Sequence, residues 1–204
     1  LAADVRQLSA SLRRFFDFTG KVVLYVGAGG RQLLGPGFGA RKVIAIDRDV
    51  EALRELEADS MAGIAGMAGG MPGAVEVVCA DFADVALLGD VVYFEFCLHE
   101  MADPRHALAH AATLAPDVVV LDHAPNSDWA FLAAEEEQVR RSAEAIQGFG
   151  VRCCERFRAD QRFKDYAELL AKIAGQGTVA VHRAQRFAGA TDIVIPMSCE
   201  LALL

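Results

Sequence analysis

No apolar run in the 204-residue chain nears the length of a membrane-spanning helix, which needs ~20 residues. Val118–Leu121 is among the longest. No bilayer span is expected, and 53 % apolar residues argue against a disordered chain. Leu1-Ala2-Ala3-Asp4 has no basic segment followed by an apolar one, so no secretion signal is expected. It also lacks Met, so the true start is expected to lie upstream. Positive charge is scarce too. Lys+Arg 20 against Asp+Glu 28 gives −8. An acidic chain without a basic block lacks the footprint of generic nucleic-acid binding. The one basic-rich stretch is Arg152, Arg156, Arg158, Arg162 and Lys164. It includes Glu155 and Asp160 and reads as a solvated helical face.

Cysteine is sparse and unpatterned. There are five, an odd number, with no CxxC. Cys79 and Cys97 end apolar runs that read as core strands. Buried thiols and a reducing, cytoplasmic compartment are expected. The vicinal pair Cys153-Cys154 has no His or Cys at ligand spacing, so no metal site is expected there. A chain this long buries most of its apolar surface without a staple.

What is present is alternation. Residues 4–18 read as an amphipathic helix, with Val5, Leu8, Leu12, Phe15 and Phe16 at three- to four-residue spacing. Lys21–Val26 is a β-branched run without alternation, as in a strand buried on both faces. Lys42–Ile46, Ala74–Cys79, Asp90–Cys97 and Asp117–Leu121 read as further strands. Asp49 is placed as the N-cap of a helix through Glu57 or beyond. Residues 60–73 either prolong that helix or form a loop. Asp103-Pro104 opens another helix. Residues 128–147 and 160–174 are expected as helices. Thr178–Phe187 and Thr191–Leu203 read as strands joined by Ala188-Gly189-Ala190. The fold class is therefore α/β: a single Rossmann-like doubly wound sheet, mostly parallel, with a C-terminal antiparallel hairpin. One domain spans 1–204. It comprises an N-terminal helix (1–19), a cofactor-binding core (20–125), a helical cover (126–175) and a terminal strand hairpin (176–204).

Ligands of such sheets bind beyond the carboxyl ends of the strands. There the sequence places Gly27-Ala28-Gly29-Gly30, Asp47, Asp81-Phe82 and Phe94–Glu100. Gly27 and Gly29 allow a tight turn and close backbone approach. Asp47 follows Gly27 by 20 residues, where a carboxylate accepts from both hydroxyls of a ribose. Loop and acid imply an adenosine-bearing ligand. Dinucleotide and S-adenosylmethionine sites share that signal. A dinucleotide loop wants G-x-G-x-x-G, and its third glycine falls on Gln32, which disfavours NAD. Asp81-Phe82 reads either as an adenine-contacting pair or as a helix N-cap followed by a core ring.

VVLYVGAGGR (Val22–Arg31), VIAIDRD (Val43–Asp49), CADF (Cys79–Phe82) and DVVYFEFCLHEMADP (Asp90–Pro104) together resemble class I S-adenosylmethionine-dependent methyltransferases. Leu98, His99, Asp103 and Pro104 match the family's strand-turn-helix stretch, and a reversed terminal strand fits its sheet. The resemblance implies an enzyme with S-adenosylmethionine as cofactor. Gly27, Gly29 and Gly30 would line its methionine part. Asp47, with Arg48 beside it, would hold the ribose, and Asp81 with Phe82 the adenine. The backbone near Glu95, Phe96 and Cys97 would close the site. Two positions depart from the family. Tyr25 stands where an acid is usual, two residues before Gly27, and Arg31 replaces the third glycine. Compensation would have Glu95 accept from the cofactor amine and Arg31 pair with its carboxylate. The rival reading is a degenerate, non-catalytic binder.

Methyl transfer from a sulfonium is an in-line displacement, and a base is needed only for a protonated nucleophile. His99 and His123 fall at strand ends on the ligand face and are the candidate catalytic residues. Glu100 and Asp122 are their candidate orienters. His106 and His110 share a helix face but have no third ligand, so they read as solvated surface. His182 reads as a strand residue. Trp129, Phe131 and Phe149 line an acceptor pocket or are ordinary core. The expected reaction is methyl transfer to O, N or C of a small molecule, with neither nucleic acid nor membrane as partner. A nicotinamide-dependent oxidoreductase is the alternative. A homodimer through the hairpin or the first helix is left open.

Overall fold

A computed structural model describes residues 4–29, 38–56 and 74–204. Its centre is a seven-stranded sheet of order β3-β2-β1-β4-β5-β7-β6. The strands are β1 (Val22–Val26), β2 (Lys42–Asp47), β3 (Ala74–Cys79), β4 (Val91–Glu95), β5 (Asp117–His123), β6 (Cys153–Asp165) and β7 (Thr191–Leu203). The first five run parallel. β7 pairs antiparallel with both β5 and β6. Among the described residues, no helix is long and apolar enough to cross a membrane.

The parallel strands are buried because helices cover both faces. Val23, Tyr25, Val91, Tyr93, Val119 and Leu121 point to one face. There they meet Leu8 and Leu12 of α1 (Val5–Phe15), α2 (described over 50–56), α4 (Asp128–Ala133), α6 (Tyr166–Ile173) and α7 (Thr178–Ala184). Leu24, Val26, Val92, Phe94, Val118 and Val120 point to the other. There they meet α3 (Pro104–Leu114) and α5 (Glu136–Phe149). Four of the described helices start on aspartate caps. Asp4 accepts from Gln7 N–H, Asp49 from Glu51 and Ala52, Asp103 from His106 with Pro104 at the first turn, and Asp165 from Glu168.

The C-terminal half departs from the sequence reading at four places. Residues 128–147 are two helices, not one. Ala134 takes a left-handed conformation (φ 62°) between α4 and α5, which brings Glu135 inside. Residues 153–165 are a strand, so the expected helix 160–174 begins only at Tyr166. The basic residues there all carry even numbers. They face outward while Ala159, Gln161 and Phe163 are buried, which is the period of a strand and not of a solvated helix. Thr178–Phe187 is not a strand. Ala180 and Ala184, four apart, are fully buried on α7, and packing that face overrides the β-branched residues around it. His182 therefore lies on a helix. The antiparallel pair is real, but β7 pairs with β6 and the connection between them carries α6 and α7. In the N-terminal half, Cys79 is exposed because β3 is an edge strand, while Cys97 is buried, as is Cys199 on β7. Residues 57–73, with the loop-or-helix stretch 60–73, lie outside the described residues.

Candidate functional site

The strand order reverses between β1 and β4, and a crevice opens beyond their carboxyl ends. Val26 pairs with Phe94, so Gly27 and Glu95 leave the sheet side by side. Gly27 has φ +74°, and a Cβ there would lie 2.5 Å from Cys97 Cβ. Only glycine suits that crossing. A Cβ on Gly29 would lie 2.7 Å from Ala52 Cβ and 2.9 Å from Asp47 Oδ2. Gly29 N–H instead donates to that oxygen at 2.8 Å. Asp47 Oδ1 accepts from Asp49 N–H at 2.9 Å. A carboxylate has about four lone-pair sites, so Asp47 shapes the glycine turn and keeps acceptor capacity.

Two chambers share this crevice. One, of about 480 Å³, is lined among the described residues by Ile46, Asp47, Arg48, Asp81, Phe82 and His106. That volume suits a small-molecule group. The other, of about 230 Å³, is lined by Glu95, Phe96, His99, His123, Trp129 and Glu135. Gly27, Asp47, Cys97 and Glu100 border both. In the larger chamber Asp81 Oδ1 caps a 3₁₀ turn by accepting from Ala83 N–H, and Arg48 Nη1 lies 3.7 Å from Asp81 Oδ2. Phe82 is buried edge-on against Phe94 and His110. Asp81-Phe82 thus performs the capping and core roles and still borders the cavity. His110 is not solvated surface, because Nε2 lies 2.9 Å from Val85 O.

The smaller chamber is organised by Asp122. Glu95 pairs with Leu121 in the sheet, so the turn after β4 lies against the end of β5. Asp122 is buried and accepts four bonds. They come from His99 Nδ1 (2.5 Å), His99 N–H (3.0 Å), His123 N–H (2.8 Å) and Ser142 Oγ (3.0 Å). His99 Nε2 lies 3.9 Å from Glu135 Oε2. Burial pulls the His99 pKa down, but Asp122 and Glu135 outweigh it and raise it to about 9. Burial takes His123 down to about 4. Burial raises Glu135 to about 6. Burial also raises the Asp122 carboxyl, but the His99 cation prevails and holds it below the usual range. His123 stacks obliquely on Phe96, which turns out of the strand at φ 47°. Glu95 is buried, and its Oε2 accepts from Tyr25 Oη (2.8 Å) and Tyr93 Oη (3.2 Å).

No protein-family model and no curated protein matches the chain. Solved structures do match it. BH2331 of Bacillus halodurans, provisionally named a methyltransferase, superposes with a TM-score of 0.66 at 14 % identity. The match covers 96 % of this chain and 96 % of that one. The magnesium protoporphyrin IX methyltransferase ChlM of Synechocystis PCC 6803 gives 0.52 at 13 % identity, over 97 % of this chain and 80 % of its own. This is the class I methyltransferase fold. ChlM in that fold is seen with bound S-adenosylmethionine and with bound S-adenosylhomocysteine. PH1948 of Pyrococcus horikoshii, provisionally named an RNA methyltransferase, gives 0.58 at 17 % identity, over 98 % of this chain and 81 % of its own. The methyltransferase fold therefore does not name the acceptor.

Of the residues singled out by sequence, Gly27, Gly29, Asp47, Arg48, Asp81, Phe82, Glu95, Phe96, His99 and His123 stand around the methyltransferase-fold crevice. Gly27, Asp47, Arg48, Asp81, Phe82, Glu95, Phe96, His99 and His123 line its chambers. Gly30, Arg31 and Gln32 lie outside the described residues. Of the three aromatics, Trp129 lines the smaller chamber and stacks on Phe163. Phe131 and Phe149 are exposed and, among the described residues, line neither chamber. Asp122 does orient a histidine ring, but that of His99, 23 residues away. Glu135 and Gln161 also line the smaller chamber and were not anticipated. Their only sequence signals were a glutamate within an acidic run and a glutamine between charges.

Proposed function

We propose that this chain transfers a methyl group from S-adenosylmethionine to a small-molecule acceptor. The observation that carries the reading is the pair of chambers meeting at Gly27 and Cys97 over the strand switch point. The cradle fits the cofactor, because Gly27 and Gly29 leave open the space that Cβ atoms would contest. In this reading the backbone of Gly27–Gly30 lies along the methionine part. Asp47 receives the ribose hydroxyls, with Arg48 at the rim. Asp81 and Phe82 border the adenine, and the turn at Glu95 and Phe96 closes the cleft. Glu95, held by two tyrosines, receives the cofactor amine, and Arg31 its carboxylate. Tyr25 thus occupies the family's usual acid position while orienting an acid from the next strand.

When bound, S-adenosylmethionine supplies the electrophilic methyl group and its own leaving group. The chain supplies position. Holding donor and acceptor in line contributes roughly 7–11 kcal/mol toward the barrier in favourable cases. The acceptor is placed in the smaller chamber, where His99 and His123 contact it. A small molecule is favoured over a nucleic acid because the chain is acidic (−8) and the chamber is small.

Calorimetric titration with S-adenosylhomocysteine and with NADH, beside an Asp47→Ala variant, tests the reading. Saturable binding of S-adenosylhomocysteine, lost in the variant, is expected. Binding of NADH alone would make Gly27–Gly30 a dinucleotide loop and the chain an oxidoreductase candidate. Cofactor binding without turnover on any acceptor in a broad panel would support a non-catalytic binder.

A further inference from the structure

The smaller chamber contains more ligand-seeking chemistry than a displacement at carbon requires. We propose that His99, His123 and Glu135 form a binding site for one divalent transition-metal ion, which holds the acceptor through an oxygen or nitrogen atom. The site itself stands on its own observations. Only its role toward the acceptor rests on the methyl-transfer reading.

Three elements bring the ligands together: the turn after β4 (His99), the end of β5 (His123) and the break between α4 and α5 (Glu135). All three residues are buried, with 2 %, 7 % and 8 % exposure. One ring nitrogen of each histidine and one carboxylate oxygen of Glu135 lie within 4.8 Å of one another. Bonds of ~2.0–2.2 Å to a metal require ligand atoms roughly 3–3.5 Å apart. Side-chain adjustments of about 1–1.5 Å therefore close the set.

Two further features point to a missing ligand. The Asp122 carboxylate holds His99 Nδ1, which leaves Nε2 turned toward Glu135. A carboxylate on the outer nitrogen of a histidine is the usual support of a metal-bound imidazole. In addition, His123 Nδ1 and Gln161 Oε1 are buried without hydrogen-bond partners among the described residues, and both residues line this chamber. Buried polar atoms are nearly always paired, so two orphans in one cavity indicate a polar occupant. Two imidazoles and one carboxylate suit zinc, iron(II), cobalt(II) or manganese(II), and three protein ligands leave positions open for a bound molecule. Gln161 Oε1 would accept from an O–H or N–H of that molecule. The implied acceptor class is a compact metabolite with a metal-binding hydroxyl, carboxylate or amine.

The test uses the intact chain, stripped with chelator and then titrated with Co²⁺ and Zn²⁺ without cofactor. Expected are one equivalent bound, a visible Co²⁺ spectrum without thiolate charge transfer, and X-ray absorption of the Zn²⁺ form showing N/O ligands with two imidazoles. Affinity should fall at least 100-fold in His123→Ala and in Glu135→Gln, with folding of each checked by circular dichroism. It should be unchanged in Cys153→Ser/Cys154→Ser. No stoichiometric binding by the wild type, or sulfur in the metal's first shell, would overturn the proposal. So would equal affinity in a folded Glu135→Gln. Metal binding without S-adenosylhomocysteine binding would sink the methyl-transfer reading and leave the metal site standing. The reverse would sink the site alone.

Discussion

Tyr25 on β1 donates its hydroxyl to Glu95 Oε2 on β4 at 2.8 Å, across the strand pair that borders the ligand crevice. Tyr93 reaches the same oxygen, and the two tyrosine rings stack 5.4 Å apart. A buried carboxylate is costly unless bonded. The tyrosines make Glu95 tolerable beneath the cleft and fix its direction. Glu95→Gln keeps an acceptor for both hydroxyls, so the fold should persist. Affinity for S-adenosylhomocysteine should fall ten-fold or more, the roughly 1.5–3 kcal/mol of a charge-assisted bond. Unchanged affinity by calorimetry would remove Glu95 from the cofactor's amino end.

Gly29→Ala separates the shape of the cradle from its stability. Gly29 needs no positive φ, but the added methyl meets Ala52 and the Asp47 carboxylate. Displacing Asp47 should cost about 1–3 kcal/mol in stability, as overpacking does. It should abolish measurable S-adenosylhomocysteine binding. Thermal melting and calorimetry on the same sample check both halves. A variant that binds normally would detach Asp47 from the ligand.

Asp122→Asn should be the most damaging single-atom change in the smaller chamber. Asp122 accepts from His99 twice, from His123 and from Ser142. An amide presents a donor where every partner is a donor. Breaking a buried pair of this kind costs about 3–5 kcal/mol. For a domain of this size each 1 kcal/mol shifts Tm by about 2–4 °C. A fall near 10 °C is expected, and a change under 2 °C would show that the pair does not hold the chamber.

Ala134→Gly should help the protein. Ala134 sits at φ 62°, where a Cβ costs roughly 1–2 kcal/mol. Glycine relieves that and returns part of it through a freer unfolded chain. A net gain up to about 1 kcal/mol is expected in denaturant melts, with the chamber intact because Glu135 keeps its place. A loss of stability would mean that the Ala134 methyl packs usefully.

Sequence alone determined the five parallel strands, the glycine turn, the place of Asp47 and the helices capped by Asp49 and Asp103. These rest on local chemistry: buried β-branched runs, φ freedom, and short acids accepting from helix N–H groups. The glycine turn and Asp47 stand 18–20 residues apart, and parallel pairing of adjacent strands makes such spacing readable. The C-terminal third, apart from the strand Thr191–Leu203, was decided by tertiary packing. Residues 153–165 and 178–187 exchanged their expected states, because the first fills an open sheet edge beside β7 and the second buries Ala180 and Ala184. The smaller chamber was likewise decided in three dimensions. His99, Asp122, His123 and Glu135 share no motif spacing. They meet because β4 pairs with β5 and because the chain kinks at Ala134, and both are long-range consequences of burying two faces of one sheet.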